Sequence, residues 1–175
     1  MCRGKGIPFT FLTNNSSKSA EAYLQKLRAL GVKVSPKEMF TSGDATLLYL
    51  AQNGYGKNIL LVGTESLERQ FLEAGYVLNT ENPAAVVLGF DTTLTYQKLT
   101  ALCNAVRAGL PYVATHPDFN CPVEGGYIPD IGAVIAFVEA STGRRPDVVV
   151  GKPNGTIAMA AASRFGVPLE SLCMV

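Results

Sequence analysis

Short apolar runs recur along the chain, and each ends in a polar or glycine-containing turn that leads into a helical pattern. They occupy residues 7–13, 58–62, 84–88, 111–114 and 147–150. Unbroken runs rich in Val, Ile and Leu are typical of strands buried on both faces, as in parallel sheets covered by helices. The pattern therefore predicts strands of this kind at each of the five positions.

Apolar residues at helical spacing follow four of these runs. The predicted helices cover residues 19–30, 65–74, 96–108 and 154–165. A glycine, which suits a helix C-terminus, comes directly after each of them; these are Gly31, Gly75, Gly109 and Gly166. Strands that alternate with helices of this length indicate βαβ units and an α/β fold.

Two turn-like segments divide the pattern. Residues 54–57 contain two glycines, and residues 141–146 read STGRRP. Between them lie about ninety residues with their own strands and helices, which is enough for a small inserted domain. The predicted division is a core in two parts, 1–55 and 143–175, with an inserted domain at 56–142.

Composition narrows the class of protein. Of 175 residues, 47% are apolar and 17% charged, so the chain can bury a sizeable core and is not expected to be disordered. A net charge of +1 without a basic stripe predicts no nucleic-acid partner. No apolar run approaches the ~20 residues that cross a bilayer, so no membrane is expected. Four scattered cysteines without a CxxC pair predict a reduced, cytoplasmic protein.

Polar side chains follow the first predicted strand in the string FLTNNSS. Beyond the carboxyl end of a strand, backbone N–H groups and a helix N-terminus favour anions. Thr13, Asn14 and Asn15 offer a hydroxyl and two amides at that place. An alternative is that Ser16 or Ser17 simply caps the following helix, since serine is a preferred N-cap. The two interpretations are compatible.

A lysine follows the last apolar run in VVVGKPNG. Lys152 could supply a point charge to a bound phosphate, while Pro153 suits the first turn of a helix. The alternative is an exposed surface lysine, which is the commoner case.

The segment ATHPDFNCPVEGGYIPDIGA, residues 114–133, is predicted to be a long polar loop. Such loops on α/β scaffolds often carry binding residues, and His116, Asp118 and Asn120 are the candidates here. His116 is the only histidine, so no metal site built on a pair of histidines can form. The alternative for His116 is a loop histidine without a special role.

Taken in order, FLTNNSS, GFDTTLTY, ATHPDFNCP, PDIGA and VVVGKPN resemble the NagD-like branch of the haloacid-dehalogenase superfamily. The resemblance runs from about Gly6 through nearly the whole chain. It implies a Mg²⁺-dependent phosphatase with a Rossmann-like core and an α/β cap of the C2 type, inserted between the second and third motifs at 56–142. The implied substrates are small phosphate monoesters such as sugar phosphates, nucleotides or aryl phosphates.

The resemblance also implies roles for individual residues. Thr13 corresponds to the second-motif hydroxyl that binds the transferring phosphoryl group, with Asn14 and Asn15 beside it. Lys152 corresponds to the third-motif lysine, which neutralises phosphoryl charge. The segment with His116, Asp118 and Asn120 corresponds to the cap loop that selects the leaving group. Relatives commonly have Asn where this chain has His116, which makes His116 a candidate specificity difference.

Two motifs of that family have no counterpart in these 175 residues. The first, Asp-x-Asp, supplies the nucleophile, yet no acidic residue precedes Thr13. The fourth, a Gly-Asp pair, would follow residues 172–175. We therefore expect a fragment whose core is incomplete at both ends. By itself it should neither bind Mg²⁺ nor hydrolyse a substrate, whereas its full-length parent should do both.

Two further expectations concern partners and the alternative function. The predicted ligand is a small phosphorylated metabolite, and uncovered apolar sheet edges would favour a homo-oligomer. The alternative function is a non-catalytic phosphate-binding or interaction module. A dinucleotide-binding oxidoreductase is disfavoured because no G-x-G-x-x-G follows a strand.

Overall fold

The computed structural model describes residues 3–79 and 81–175, in which strands and helices alternate. The strands are β1 Phe11–Thr13, β2 Met39–Thr41, β3 Asn58–Val62, β4 Val77–Leu78, β5 Ala85–Leu88, β6 Tyr112–Ala114, β7 Asn120–Val123, β8 Gly126–Pro129 and β9 Val148–Val149. The helices are α1 Ala20–Ala29, α2 Ser42–Gln52, α3 Glu65–Glu73, α4 Tyr96–Arg107, α5 Ile131–Thr142 and α6 Gly155–Phe165. The predicted α/β class is confirmed.

The strands form three sheets. The largest has five parallel strands in the order β4-β3-β5-β6-β9. β1 pairs with β2, also in parallel, in a separate two-stranded sheet. β7 and β8 form an antiparallel hairpin. Four of the five predicted strands thus lie in one sheet, while β1 belongs to another.

Alternate residues of the same strands face two different cores. Ile59 and Leu61 of β3 point into a core shared with α2, α3 and α6, whereas Leu60 and Val62 point into a core shared with α4 and α5. Because both faces of the sheet are covered by helices, both sets of side chains are buried. This explains why the strands are unbroken apolar runs in the sequence.

Helix ends follow local chemistry. The side chain of Ser19, rather than that of Ser16 or Ser17, accepts a hydrogen bond at the start of α1, so the predicted capping serine was wrong. Gly31 and Gly75 follow the caps of α1 and α3 with φ of 79° each, a left-handed conformation that glycine adopts without strain.

The prediction of an irregular loop at residues 114–133 was wrong. That segment contains the β7–β8 hairpin and the start of α5. The hairpin turns at Gly125 and Gly126, whose φ values are 84° and 157°. The glycines and prolines that suggested a loop therefore serve a tight turn, and only Asp130 separates the hairpin from the helix.

The predicted division into 1–55, 56–142 and 143–175 meets a mixed packing pattern. β9 lies in the third segment but pairs with β6, which lies in the second, through Val113 with Val148 and Ala114 with Val149. α6, also in the third segment, packs against α2 of the first. The third segment thus contacts both others, and the division stays a prediction.

Within residues 3–79 and 81–175, none of the helices combines the length and the apolar character that a membrane span requires.

Two neighbouring residues of α3 test the packing of the first core. Phe71 is fully buried and its ring lies 5.5 Å from that of Tyr76, whereas Leu72 is 53% exposed. We expect Phe71→Ala to lower the free energy of unfolding by about 3–5 kcal/mol because it leaves a cavity. Leu72→Ala should lower it by less than about 1 kcal/mol. Urea denaturation measures both, and equal losses would contradict the assigned packing.

Candidate functional site

The loop after β1 is held in shape by its own side chains. The backbone N–H of Asn15 donates to Thr13 Oγ1 at 3.2 Å. The backbone N–H and the hydroxyl of Ser17 both donate to Asn15 Oδ1, at 2.9 and 2.8 Å. Because Thr13 Oγ1 serves as an acceptor within the loop, its hydroxyl proton can be donated to a ligand.

Asn14 joins this loop to the segment after β9. Its Oδ1 accepts from the backbone N–H of Lys152 at 2.8 Å, and its Nδ2 donates to the Lys152 carbonyl at 2.9 Å, across 138 residues of chain. The Lys152 ammonium in turn donates to the Leu12 carbonyl at 3.2 Å. We call the two Asn14–Lys152 backbone hydrogen bonds the Asn14 clamp; they place a positive charge beside the end of β1.

Glycine is required where these segments approach each other. A Cβ on Gly151 would lie 2.6 Å from His116 Cβ and 2.7 Å from Asn14 Oδ1. Any larger residue at Gly151 would therefore push directly against the Asn14 clamp.

Buried hydroxyls attach the loop to other strand ends. Ser16 Oγ lies 3.0 Å from Thr115 Oγ1, after β6, and accepts from the N–H of Phe90, after β5, at 2.9 Å. Thr64, the N-cap of α3, donates to the Ser17 carbonyl at 2.8 Å, and Ser42 of α2 donates to the Asn14 carbonyl. The site thus lies where the carboxyl ends of several parallel strands converge, the usual ligand position in α/β proteins.

A cavity of about 610 Å³ opens above this loop. Six predicted site residues line it: Thr13, Asn14, Asn15, Asp118, Asn120 and Lys152. The cavity also includes Tyr23, Cys121, Pro122, Asp130 and Pro153. Of these, Asp130 could have been predicted as a helix N-cap, because aspartate is a preferred residue directly before a helix. Tyr23 could not have been predicted, since it reads as one apolar position of α1.

His116, the remaining predicted residue, does not line the cavity. Its side chain is 1% exposed and lies beneath the cavity, between two carboxylates. Nδ1 is 3.4 Å from Asp118 Oδ2, and Nε2 is 3.5 Å from Asp130 Oδ1. The role of His116 as a specificity difference stays a prediction, and its burial leaves it without a direct place in the lining of the cavity.

Burial shifts the pKa of the groups in this cluster. Removal from water lowers the pKa of His116 to about 4, against an opposing effect of the Asp118 carboxylate. Removal from water also raises the pKa of Asp130 to about 6, although the Ile131 N–H works the other way. His116 is therefore neutral near pH 7, with one ring nitrogen as donor and the other as acceptor.

The same three residues form a cluster of potential metal ligands. His116, Asp118 and Asp130 can each offer one ligand atom, and these atoms lie within 4.8 Å of one another. The donor set does not fit Mg²⁺, which takes nearly all its ligands from oxygen in octahedral geometry. One donor is an imidazole, Asp130 Oδ1 accepts from the Ile131 N–H at 2.6 Å, and Asp118 Oδ2 accepts from Asn14.

Comparison with known proteins identifies the family of the chain. Residues 1–77 match the family described as haloacid dehalogenase-like hydrolase. An acid sugar phosphatase of Staphylococcus aureus strain MRSA252 is 36% identical over 98% of this chain and 66% of its own length. A solved structure provisionally named nagD has 45% identity and a TM-score of 0.90, covering 95% of this chain and 66% of that one. A 4-nitrophenylphosphatase of Thermotoga maritima has 45% identity and a TM-score of 0.89, covering 95% and 64%.

The chain belongs to the haloacid dehalogenase-like hydrolases, in their NagD-like branch. The resemblance expected from the motifs is confirmed. The chain spans 66% of the length of the acid sugar phosphatases that it matches.

Opposite pKa shifts at His116 and Asp130 predict opposite pH dependences in two variants. Asp130→Asn leaves a histidine whose pKa falls from 6.5 to about 4 on folding. The unfolded state then binds more protons, so stability rises between pH 4 and 6.5. His116→Asn leaves a carboxyl whose pKa rises from 3.8 to about 6 on folding, so stability falls between pH 4 and 6. Each change amounts to about 3 kcal/mol at most.

Urea denaturation at pH 4, 5, 6 and 7 measures the slope of the free energy of unfolding against pH in each variant. In the unaltered chain the two effects oppose each other, so its slope should lie between those of the variants. Slopes of the same sign in both variants would show that the two groups do not titrate as described.

Proposed function

We propose that this chain supplies the phosphate-binding part of a phosphoric monoester hydrolase acting on small phosphate monoesters. Sugar phosphates, nucleotides and aryl phosphates are the substrate classes. The observation that carries the proposal is the Asn14 clamp, which holds Lys152 next to Thr13 at the convergent ends of the strands.

The arrangement matches what phosphoryl transfer needs most, namely fixed positive charge and fixed hydrogen-bond donors. The Lys152 ammonium lies beside the end of β1, and the Thr13 hydroxyl proton is available to a phosphoryl oxygen. Asn14 has a different role from Thr13. Both hydrogens of its amide are engaged, by the Lys152 carbonyl and by Asp118, so it acts on the phosphate through Lys152.

Asn15 and the hairpin complete the predicted binding site. Asn15 Nδ2 donates to the sulfur of Cys121 at 3.9 Å. Because a thiol sulfur is a weak acceptor, this amide can turn to a ligand. Asp118 and Asn120 line the cavity at the start of the hairpin and would contact the leaving group. The relatives named for acid sugar phosphatase and 4-nitrophenylphosphatase activity support sugar and aryl phosphates as the first classes to test.

Part of the reaction would depend on residues outside this chain. Residues 1–175 contain no Asp-x-Asp sequence, and the first acidic residue is Glu21. We propose that the attacking aspartate, which would form the aspartyl-phosphate, and the carboxylates that bind Mg²⁺ lie elsewhere in the parent protein. On this proposal the 175-residue chain binds phosphate esters without turning them over.

The second candidate is a phosphate-binding or interaction module that has no catalytic parent. It is favoured by the same combination of a formed cradle and an absent Asp-x-Asp sequence. The two candidates differ only in what the flanking residues add.

The cellular setting forms part of the proposal. A cytoplasmic location is supported by the free thiols of Cys103, Cys121 and Cys173. A small phosphorylated metabolite is the proposed ligand, without nucleic acid or membrane as partner, and formation of a homo-oligomer stays a prediction.

Binding of inorganic phosphate tests the proposed roles of Thr13 and Lys152. We expect Lys152→Met and Thr13→Val each to weaken binding on the order of tenfold or more, because each removes a contact to a charged oxygen. Lys33→Met is the matched control, since Lys33 is exposed and precedes β2, at the opposite end of the β1–β2 pair. Isothermal titration calorimetry measures the dissociation constants. If Lys33→Met weakened phosphate binding as much as the other two substitutions, the result would contradict the proposed phosphate site.

Hydrolysis of p-nitrophenyl phosphate with Mg²⁺ separates the two candidate functions. We expect no turnover by residues 1–175 and turnover by a version extended with its flanking coding sequence. Activity of the short chain would refute the proposed division of the reaction. An inactive extended version that still binds phosphate would favour the binding module.

A further inference from the structure

His116 is a buried polar side chain whose two ring nitrogens both face carboxylates. Neither nitrogen has a hydrogen-bond partner of ordinary geometry among the described residues, and the 3.4 and 3.5 Å separations are longer than a normal hydrogen bond. A buried imidazole is costly unless its donor and acceptor are satisfied. A shift of a few tenths of an ångström would bring either nitrogen into hydrogen-bond range.

The two carboxylates are attached to different parts of the structure. Asp130 is the N-cap of α5, is 5% exposed, and accepts from the Ile131 N–H at 2.6 Å. Asp118 is 44% exposed, lines the cavity, and accepts from Asn14 Nδ2 at 3.0 Å. His116 therefore lies between a buried carboxyl and a half-exposed one, and both belong to residues that line the cavity.

Further hydrogen bonds connect Asp118 with Asn14 and Lys152 of the proposed phosphate site. The amide of Asn14 that donates to Asp118 also donates to the Lys152 carbonyl, and its oxygen accepts from the Lys152 N–H. A displacement of Asp118 would therefore remove one of the three hydrogen bonds that orient the Asn14 amide, and the other two hold the backbone of Lys152.

We propose that His116 is a positioning residue for the phosphate site, because it holds Asp118 against Asn14 and thereby fixes the place of Lys152. This inference rests on the proposed phosphate-binding function. In the neutral imidazole, Nδ1–H donates to the exposed Asp118 carboxylate, and Nε2 accepts from Asp130 when that buried carboxyl carries a proton. Because burial raises the pKa of Asp130 to about 6, this second contact forms mainly below that pH, while the contact to Asp118 does not depend on it.

Three substitutions of His116 separate a polar role from simple packing. Asn places an amide donor near the position of Nδ1, on the Asp118 side, whereas Gln reaches toward the position of Nε2, on the Asp130 side. Phe keeps the volume of the ring without a polar atom. If His116 only fills space, the smaller Asn should be the worst replacement, because it leaves a cavity. If it positions Asp118, Asn should be the best of the three.

The first readout is hydrogen exchange at the Lys152 amide, which donates to Asn14 Oδ1. We expect exchange to be about tenfold faster in His116→Phe and in His116→Gln, and within about threefold of the unaltered chain in His116→Asn. The control is the neighbouring Val150 amide, which donates to the Ala114 carbonyl and takes no part in the clamp. Its exchange should not change in any variant.

The second readout is the dissociation constant for inorganic phosphate. It should follow the same order, with about tenfold weaker binding for His116→Phe and His116→Gln than for His116→Asn. Because His116 is the only histidine, its ring nitrogens give the only imidazole signals in a ¹⁵N NMR spectrum. These signals should shift when phosphate binds and should not respond in Lys152→Met.

The outcomes distinguish the inference from the function on which it rests. Unchanged Lys152 exchange in the variants, or Asn as the worst replacement, overturns the inference even if phosphate still binds. Absence of phosphate binding by the unaltered chain overturns the proposed function, and the exchange data then still decide whether His116 positions Lys152. If His116→Phe fails to fold, the comparison of Asn with Gln gives the same decision.

Discussion

The site depends on one pair of hydrogen bonds, in which the side-chain amide of Asn14 pairs with the backbone of Lys152 across 138 residues. A side-chain amide that accepts from the N–H and donates to the C=O of the same residue fixes both the distance and the orientation of the two segments. The lysine is thereby presented to the end of β1 by the backbone, and its flexible side chain has only a short distance to cover. This matters because a point charge stabilises a phosphoryl group only where its position is fixed in advance.

Close approach of backbones makes this pairing possible, and it constrains residues that carry no functional group. Gly151 lies between Asn14 and His116, where even a methyl group would collide with both. Ser16 reaches Thr115 and the N–H of Phe90 only because the ends of β5 and β6 meet beneath the loop. The parallel five-stranded sheet therefore determines the site by bringing these strand ends to one edge.

The close packing around the cavity also buries the polar side chain of His116. His116 is enclosed, its ring is edge-on to Phe90 with centroids 6.4 Å apart, and its polar atoms face Asp118 and Asp130. Burial favours the uncharged form of each group, so it lowers the pKa of His116 to about 4 and raises that of Asp130 to about 6. Between these two pH values the Asp130 carboxyl can donate its proton to the neutral imidazole. A buried polar cluster of this kind specifies one arrangement, since any unpaired member is costly.

Local sequence patterns predicted the strands β3, β5 and β6, four helices and the glycines after them. Strands buried on both faces require apolar residues, and left-handed helix ends favour glycine, so both features can be recognised from residue type. The same patterns, with the family resemblance, brought Thr13, Asn14, Asn15, Asp118, Asn120 and Lys152 forward as candidates, and all of them line one cavity. Only the tertiary structure decided that Asn14 holds Lys152, that His116 lies beneath the cavity, and that β7 and β8 form a hairpin. Those features are contacts between distant segments or the result of enclosure, and no residue type encodes them by itself.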